Sequence, residues 1–305
     1  MIIPKPLLPG DTVALVALAS ALRVDDVPDT VRKSAEKLEA LGFHVVIDPT
    51  CYHHHGFFAG TDRERADALN RAFADDGIDG IWCLRGGYGC IRLLELLDWD
   101  MIARHPKPFI GYSDITTLHT ALHERCGLCT FHGLMAASDR FEGPSLDSLL
   151  HAIQGTPDEV LINPDGSPLR CLQSGIAEGE LVGGNLSLIA ASTGTPWDLD
   201  TTGKLLFLED VGEFTYSIDR YLQQVYLSGK LNRCAGVIFG GFTNVKTEDP
   251  RFGFEMDEIL DMLVQKLHVP VIAGLQAGHM REKVTLLLGR RYRMNANTGE
   301  IRLIS

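Results

Sequence analysis

Residues 12–19 (Thr-Val-Ala-Leu-Val-Ala-Leu-Ala) form an almost unbroken apolar run. Such a run, without polar alternation, predicts a strand covered on both faces, as in a parallel sheet. Downstream the spacing changes. Val31, Ala35, Leu38 and Leu41 recur at helical intervals and predict a helix over 27–41. His44–Ile47 reads as a second strand. Thr61 followed by Glu64 is a capping box, and it opens a helix carrying Ala66, Leu69, Ala72 and Phe73 on one face. Gly80–Leu84 predicts a third strand, residues 91–97 a further helix, and the apolar run ending at Ile110 a fourth strand. Alternating strands and helices of this kind predict an α/β domain with a mostly parallel sheet. Ligands in such sheets bind beyond the carboxyl ends of the strands.

Periodicity is lost over 154–170, which is rich in Gly, Pro, Asp and Asn. The expected organisation is therefore an N-terminal α/β domain over 1–155, a linker over 156–171 and a smaller, more β-rich α/β domain over 172–305. The second domain resumes with a strand at 177–182, and Gly183-Gly184-Asn185 opens a helix. Strands are expected at 204–208, 235–242 and 271–274, with helices at 215–229 and 253–267. From Val284 the pattern reads as strands joined by an Asn-Ala-Asn-Thr-Gly turn. There is no internal repeat.

One segment stands out for its chemistry. The fourth strand ends at Gly111, a serine follows at 113, and Ile115, Leu118, Ala121 and Leu122 then repeat at helical spacing. Strand, sharp turn, serine and helix make the layout of a nucleophile elbow, in which the turn lifts the hydroxyl clear of the sheet. The amide of the next residue, Asp114, and the helix N-terminus point at the same place. Arg85-Gly86-Gly87-Tyr88-Gly89 is the main glycine-rich turn. Its glycines permit close backbone approach, so Gly87 or Gly86 is the candidate second donor of an oxyanion hole. Its spacing does not match a dinucleotide fingerprint, and no phosphate-loop lysine follows.

A serine needs a base, and the base needs an orienting acid. Of the eleven histidines, His53, His54 and His55 lie together in a loop, and His119 and His123 sit on the helix after Ser113, where packing is the ordinary role. His279 lies in a glycine-flanked loop just beyond a strand, the place where an α/β scaffold presents catalytic groups. Glu209 sits at the end of the 204–208 strand, with Asp210 and Glu213 as rivals. Read locally, either residue is equally an ordinary loop or turn side chain. Cys51 with His53–His55, and Cys129 with His132, lack the paired spacing of a metal site, so no metal and no cofactor are expected.

The formal net charge of −12, without a basic stretch, argues against nucleic acid and against anionic membrane surfaces. No window reaches the ~18 apolar residues of a membrane span, and the first residues do not read as a signal peptide. Seven scattered cysteines suit a reducing compartment. A cytoplasmic enzyme is the expectation.

Arg85–Gly89, Gly111–Thr116, Gly183–Leu186, Gly194–Trp197, Leu208–Asp210 and Gly278-His279, in this order and spacing, resemble the motifs of the LD-carboxypeptidases. That family comprises murein tetrapeptide carboxypeptidases and microcin C self-immunity proteins. The resemblance runs over nearly the whole chain. It implies a serine peptidase with Ser113 as nucleophile, Glu209 as charge-relay acid and His279 as base, divided between two domains with the site in the cleft between them. It also implies a homodimer acting on a small peptide of the murein tetrapeptide type. Arg220 matches a family motif and is a candidate for a substrate carboxylate, since arginine suits bidentate recognition. Tyr88, Asn185 and Trp197 are further substrate-binding candidates. Two positions depart from the family pattern: the first strand ends in Ala19-Ser20 where a Pro-Ser pair is usual, and Leu287 stands where a proline is often found. Alternative functions are an immunity-type hydrolase of aminoacyl-nucleotides and a non-catalytic two-domain binding protein. A nucleotide-dependent oxidoreductase ranks third, for want of the fingerprint.

Overall fold

The structure, a computed structural model, describes residues 1–247 and 253–304. The chain divides into two compact units. The first comprises Met1–Pro157 with Thr285–Leu287, and the second Asp158–Val284 with Leu288–Ser305.

The first unit alternates β1 (Thr12–Val16), α1 (Val27–Ala40), β2 (His44–Ile47), α2 (Asp62–Ala74), β3 (Gly80–Cys83), α3 (Trp99–Arg104), β4 (Phe109–Gly111), α4 (Thr116–Cys126), β5 (Thr130–His132) and α5 (Gly143–Ile153). The capping box on α2 is formed as expected: Thr61 Oγ1 accepts from the Glu64 amide at 3.2 Å, and Glu64 Oε2 accepts from the Thr61 amide at 2.7 Å. Strands β2, β1, β3, β4 and β5 run parallel side by side, with the chain crossing from β2 back over β1 to β3. The order therefore reverses between β1 and β3. Crevices at such reversals are where open parallel sheets hold ligands. Ser20 lies beyond the end of β1 and Gly86-Gly87 beyond the end of β3.

The second unit contains β6 (Arg170–Gln173), β7 (Ile176–Asn185), α6 (Leu186–Ser192), β8 (Leu205–Val211), α7 (Thr215–Leu227), α8 (Lys230–Arg233), β9 (Gly236–Thr243), α9 (Met256–Val264) and β10 (Val271–Ala273). Beyond them come β11 (Leu286–Leu288), β12 (Arg291–Asn295) and β13 (Glu300–Leu303). β11 joins the first unit's sheet at β5, and the other strands form a seven-stranded sheet in the order β13-β12-β7-β8-β9-β10-β6. Its centre, β7 to β10, is parallel and its margins are antiparallel. Each unit has its own apolar core: Val13, Leu15, Trp82 and Ile110 lie in the first, and Leu206, Leu208, Phe239 and Leu263 in the second.

Several expectations change in detail. The strand expected over 12–19 pairs only to Val16, although Ala17, Leu18 and Ala19 stay buried. Their backbone groups bond elsewhere: the Ala17 amide to Thr50 Oγ1 and the Ala19 carbonyl to the Ala59 amide. The helix expected over 91–97 is a single 3-10 turn, Cys90–Leu93, and a true helix starts only at Trp99, capped by the Asp98 carboxylate. The strand expected over 204–208 continues through Val211. Among the described residues, no helix is long and apolar enough to cross a membrane.

Candidate active site

Ser113 follows β4 after a single extended residue, Tyr112 (φ −155°, ψ −171°). Its own φ is 67°, one of two positive values among the described non-glycine residues. An L-residue in this region costs ~1–2 kcal/mol, strain of the kind that collects at functional sites. A 3-10 turn over Ser113–Ile115 leads directly into α4. The strand end is held from behind by His119, one turn into α4, whose Nε2 lies 2.8 Å from the Gly111 carbonyl. Burial lowers the His119 pKa to about 4. The ring is therefore neutral and Nε2–H donates. No local pattern signals this role, because a lone helical histidine reads as packing.

The glycine turn after β3 meets the elbow closely. A Cβ on Gly86 would lie 2.7 Å from Ser113 Cβ and 3.0 Å from Ser113 Oγ, so only glycine fits there. A Cβ on Gly87 would lie 2.4 Å from Ser20 Oγ. Ser20 Oγ in turn accepts from the Tyr88 amide at 3.0 Å. Ser20, noted in the sequence only as part of a departure from the family pattern, thus fixes this turn. Asp114 is buried, and its Oδ2 accepts from the Cys90 amide at 2.8 Å, tying the elbow to the far end of the turn. Burial raises the Asp114 pKa, opposed by its bonds with Cys90 and by the Arg65 charge. Arg65, fully buried, donates to the carbonyls of Leu18 (2.6 Å) and Gly89 (3.0 Å) and to Asp62 Oδ1 (2.6 Å).

In the second unit, Glu209 and His279 are bonded to each other. Glu209 is 0 % exposed. Its Oε2 lies 2.8 Å from His279 Nδ1 and accepts from the His279 backbone amide at 3.1 Å. A carboxylate on Nδ1 fixes the tautomer with the proton there and the lone pair on Nε2, the form a general base needs. Gly278 makes the approach possible: its φ is 77°, and a Cβ there would lie 2.4 Å from Glu209 Cδ and from Oε2.

The rivals of Glu209 have other tasks. Pairing with β9 shifts register between Leu208 and Asp210. Asp210 Oδ1 accepts from Asn185 Nδ2 (3.0 Å) and from the Val211 amide (2.8 Å), and Oδ2 accepts from the Ser187 amide (2.8 Å) at the start of α6. Burial raises its pKa, with those three donors pulling the other way. Glu213 is partly exposed, and desolvation with the nearby Asp210 charge also raises its pKa. Lys283 is buried four residues after His279; burial lowers its pKa to about 8, opposed by the charges of Glu209 and Glu282.

The loop that carries His279 is anchored from the stretch expected to be a linker. Buried Asn163 donates Nδ2 to the Gly274 carbonyl (2.9 Å), and its Oδ1 accepts from the Gln276 amide (2.8 Å). Asp165 Oδ2 accepts from Gln276 Nε2 at 2.6 Å. Nothing in the local sequence marked Asn163 for this anchoring, since Gly274 and Gln276 lie more than a hundred residues away. Of the substrate-binding candidates, Arg220 is exposed on α7, with its guanidinium 5.7 Å and 5.4 Å from the Tyr216 and Tyr221 ring centres. Asn185 is buried and bonded to Asp210, Trp197 is half-buried, and Tyr88 is exposed beside the glycine turn. Among the described residues, no group of three or more His, Cys, Asp or Glu side chains is placed to hold a metal ion.

Comparison with known proteins identifies the family. Residues 13–133 match the LD-carboxypeptidase N-terminal domain and residues 178–294 the LD-carboxypeptidase C-terminal domain. A probable murein peptide carboxypeptidase of Bacillus subtilis is 38 % identical over 96 % of this chain and 91 % of its own. The crystal structure of a muramoyltetrapeptide carboxypeptidase from Oxalobacter formigenes superposes with a TM-score of 0.81 at 30 % identity, covering 96 % of this chain and 97 % of that one. The microcin C7 self-immunity protein MccF of Escherichia coli is 25 % identical over 94 % of this chain and 91 % of its own. A structure of MccF in complex with glutamyl sulfamoyl guanosine shares the fold, with a TM-score of 0.89 over 100 % of this chain and 99 % of that one. Two domain matches in the family's order, and relatives that span the whole chain, show that it belongs to the LD-carboxypeptidase family.

Proposed function

We propose that the protein is a serine-type LD-carboxypeptidase that releases the terminal D-alanine of a murein tetrapeptide by cleaving an L,D-peptide bond. The observation that carries this reading is the buried Glu209 carboxylate on His279 Nδ1 at 2.8 Å, taken with Ser113 on its strained turn. In the proposed mechanism Ser113 Oγ attacks the carbonyl carbon of the scissile bond. His279 Nε2 takes the hydroxyl proton and then gives it to the departing D-alanine nitrogen. Glu209 holds the imidazole and stabilises its cation without itself being protonated. The amides of Asp114 and of Gly87 or Gly86 donate to the oxyanion. Losing one such donor typically costs ~10²–10³ in kcat. Water, deprotonated by the same histidine, then releases the acyl group. A cytoplasmic homodimer is the setting that the family resemblance implies.

The rival substrate is an aminoacyl-nucleotide conjugate, of the type bound by MccF. The murein reading ranks first because the murein peptide carboxypeptidase is the more similar relative, 38 % against 25 % identical. The two separate in one assay: turnover of murein tetrapeptide against turnover of an aminoacyl sulfamoyl adenosine, followed by mass spectrometry. The proposal expects tripeptide and free D-alanine from the first at the higher kcat/KM. Cleavage of the adenosine conjugate alone would overturn it.

A further inference from the structure

Arg85 opens the glycine turn beside Ser113 and carries a charge that the mechanism above does not use. It is partly buried. Its Nε donates to the Gly86 carbonyl at 3.2 Å and its Nη1 to the Ala21 carbonyl at 3.0 Å. A guanidinium presents five N–H groups in a rigid fork, so these two bonds leave the whole Nη2 end and one N–H of Nη1 uncommitted. Among the described residues no carboxylate is paired with it. Burial lowers its pKa from the ordinary guanidinium value, and no acidic neighbour opposes the shift.

Nearby arginines are placed differently. Arg65 is fully buried and meets Asp62 at 2.6 Å. Arg92 meets the same carboxylate at 2.7 Å. Arg220, the candidate drawn from the sequence, is exposed on α7 beside two tyrosine rings. An arginine keeps its proton when buried, and a charge taken out of water without a counter-ion costs stability. The missing counter-ion of Arg85 is therefore one that a ligand brings. Its place in the fold agrees. Ala21 follows β1 and Gly86 follows β3, so the guanidinium bridges the two strand ends between which the strand order reverses. Open parallel sheets hold ligands at such reversals. Ser20, next to Ala21, accepts from the Tyr88 amide at 3.0 Å and fixes the same two segments to each other.

Reach and chemistry name the anion. An enzyme that releases one C-terminal residue has to read the free carboxylate of that residue, whose carbon lies about 4 Å beyond the scissile carbonyl carbon. With the attacking hydroxyl ~3 Å short of the scissile carbon and a charge-assisted hydrogen bond of ~2.8 Å, the cation that reads it stands up to roughly 10 Å from the nucleophile. A Cβ on Gly86 would lie 3.0 Å from Ser113 Oγ, and the Gly86 carbonyl lies 3.2 Å from Arg85 Nε. Standard bond lengths across Gly86 then keep Arg85 Nε within roughly 10 Å of Ser113 Oγ. We propose that Arg85 binds the terminal carboxylate of the substrate through Nη1 and Nη2, so that this fork, and not Arg220, selects a free C-terminus. This inference rests on the peptidase reading.

Two measurements test it. Steady-state kinetics on the murein tetrapeptide and on the same peptide ending in D-alaninamide give a ratio of kcat/KM values. The wild type should favour the acid by ~10–10²-fold, the scale of a hydrogen bond to a charged group. Arg85→Gln keeps donors for the Ala21 and Gly86 carbonyls but not the charge. It should bring the ratio near one, by slowing the acid and sparing the amide. Arg85→Lys, which keeps the charge and loses the fork, should fall between. A wild-type ratio near one overturns the proposal. So does equal loss on both substrates, the result expected of an arginine that only supports the turn or meets a carboxylate on the acyl side. If Arg85→Gln proves unfolded in a thermal melt, an unchanged ratio in Arg85→Lys overturns it instead. Calorimetric Kd values for the two peptides in Ser113→Ala read recognition without turnover. The acid should bind more tightly by a similar factor, and adding Arg85→Gln should abolish the difference; equal Kd values in Ser113→Ala would refute the assignment. A wild type that releases no D-alanine overturns the peptidase reading, and the Kd ratio then still decides the role of Arg85.

Discussion

Gly278→Ala is the substitution that tests most sharply how the Glu209–His279 couple is built. The new methyl would lie 2.4 Å from Glu209 Cδ and Oε2 and 2.6 Å from Cγ. Carbon atoms pack at about 3.5–4.0 Å, so the carboxylate must move by about 1 Å. Its bonds to His279 are 2.8 Å to the ring and 3.1 Å to the backbone amide. A shift of that size carries both towards the limit at which a hydrogen bond is lost. Misplacement by 1 Å costs ~10² in rate, and loss of the imidazole tautomer in a triad costs ~10⁴, so kcat should fall by a factor within that range. Alanine at φ 77° adds a backbone cost of ~1–2 kcal/mol. Gly274→Ala is the matched comparison, because Gly274 lies in the same loop with φ 90° and nothing within 4 Å of an added Cβ. It should show the backbone cost as a lowered Tm and keep kcat within a few-fold of wild type. Thermal melts with steady-state kinetics on the tetrapeptide read both effects. The reasoning is refuted if Gly278→Ala stays folded with kcat near wild type, or if both variants lose activity alike.

Gly86→Ala places a methyl 2.7 Å from Ser113 Cβ, and kcat should drop ~10²-fold, with the melting temperature lowered by an overpacking cost of ~1–3 kcal/mol. Asp210→Asn should destabilise the second unit by ~1–3 kcal/mol in denaturant melts, through its buried bonds to Asn185, Ser187 and Val211. Its kcat should fall far less than that of Glu209→Gln. Burial holds the His119 pKa at about 4 in the folded protein, below the ordinary imidazole value of 6.5. The unfolded chain therefore binds the extra proton between those values, and stability falls as pH drops from about 6.5 to about 4, by ~3 kcal/mol. His119→Gln should flatten the dependence of the urea midpoint on pH across that window, and an unaltered slope would show that His119 does not contribute.

The nucleophile segment was legible because its signal is local. An apolar run, a glycine, a serine and a helical repeat occupy fifteen adjacent positions, and the capping box on α2 is likewise written within four residues. Glu209 was legible only as a strand-end acid. The structure places it within β8 beside a register shift, and its bonding to His279 separates it from Asp210, whose carboxylate is spent on α6. That distinction depends on partners remote in sequence, which no spacing reveals. The same holds for Asn163, whose bonds reach Gly274 and Gln276, and for Arg65, which reads as a surface helix residue but is fully buried on carbonyls. Short elements also escaped the pattern. β5 has three residues, too few to show a period, and the Cys90–Leu93 turn mimics the start of a helix, whereas the true helix begins only at Trp99 behind the Asp98 cap.

The central proposal is that Ser113 acts as nucleophile and His279 as its base, with Glu209 orienting the base. Its most direct test is kcat for D-alanine release from the tetrapeptide in Ser113→Ala, His279→Ala and the double variant. Members of a triad are strongly non-additive. The account predicts that each single change lowers kcat by ~10⁴–10⁶ and that the double variant falls no further. Near wild-type release by Ser113→Ala, or a double variant whose loss is the product of the two single losses, would contradict it.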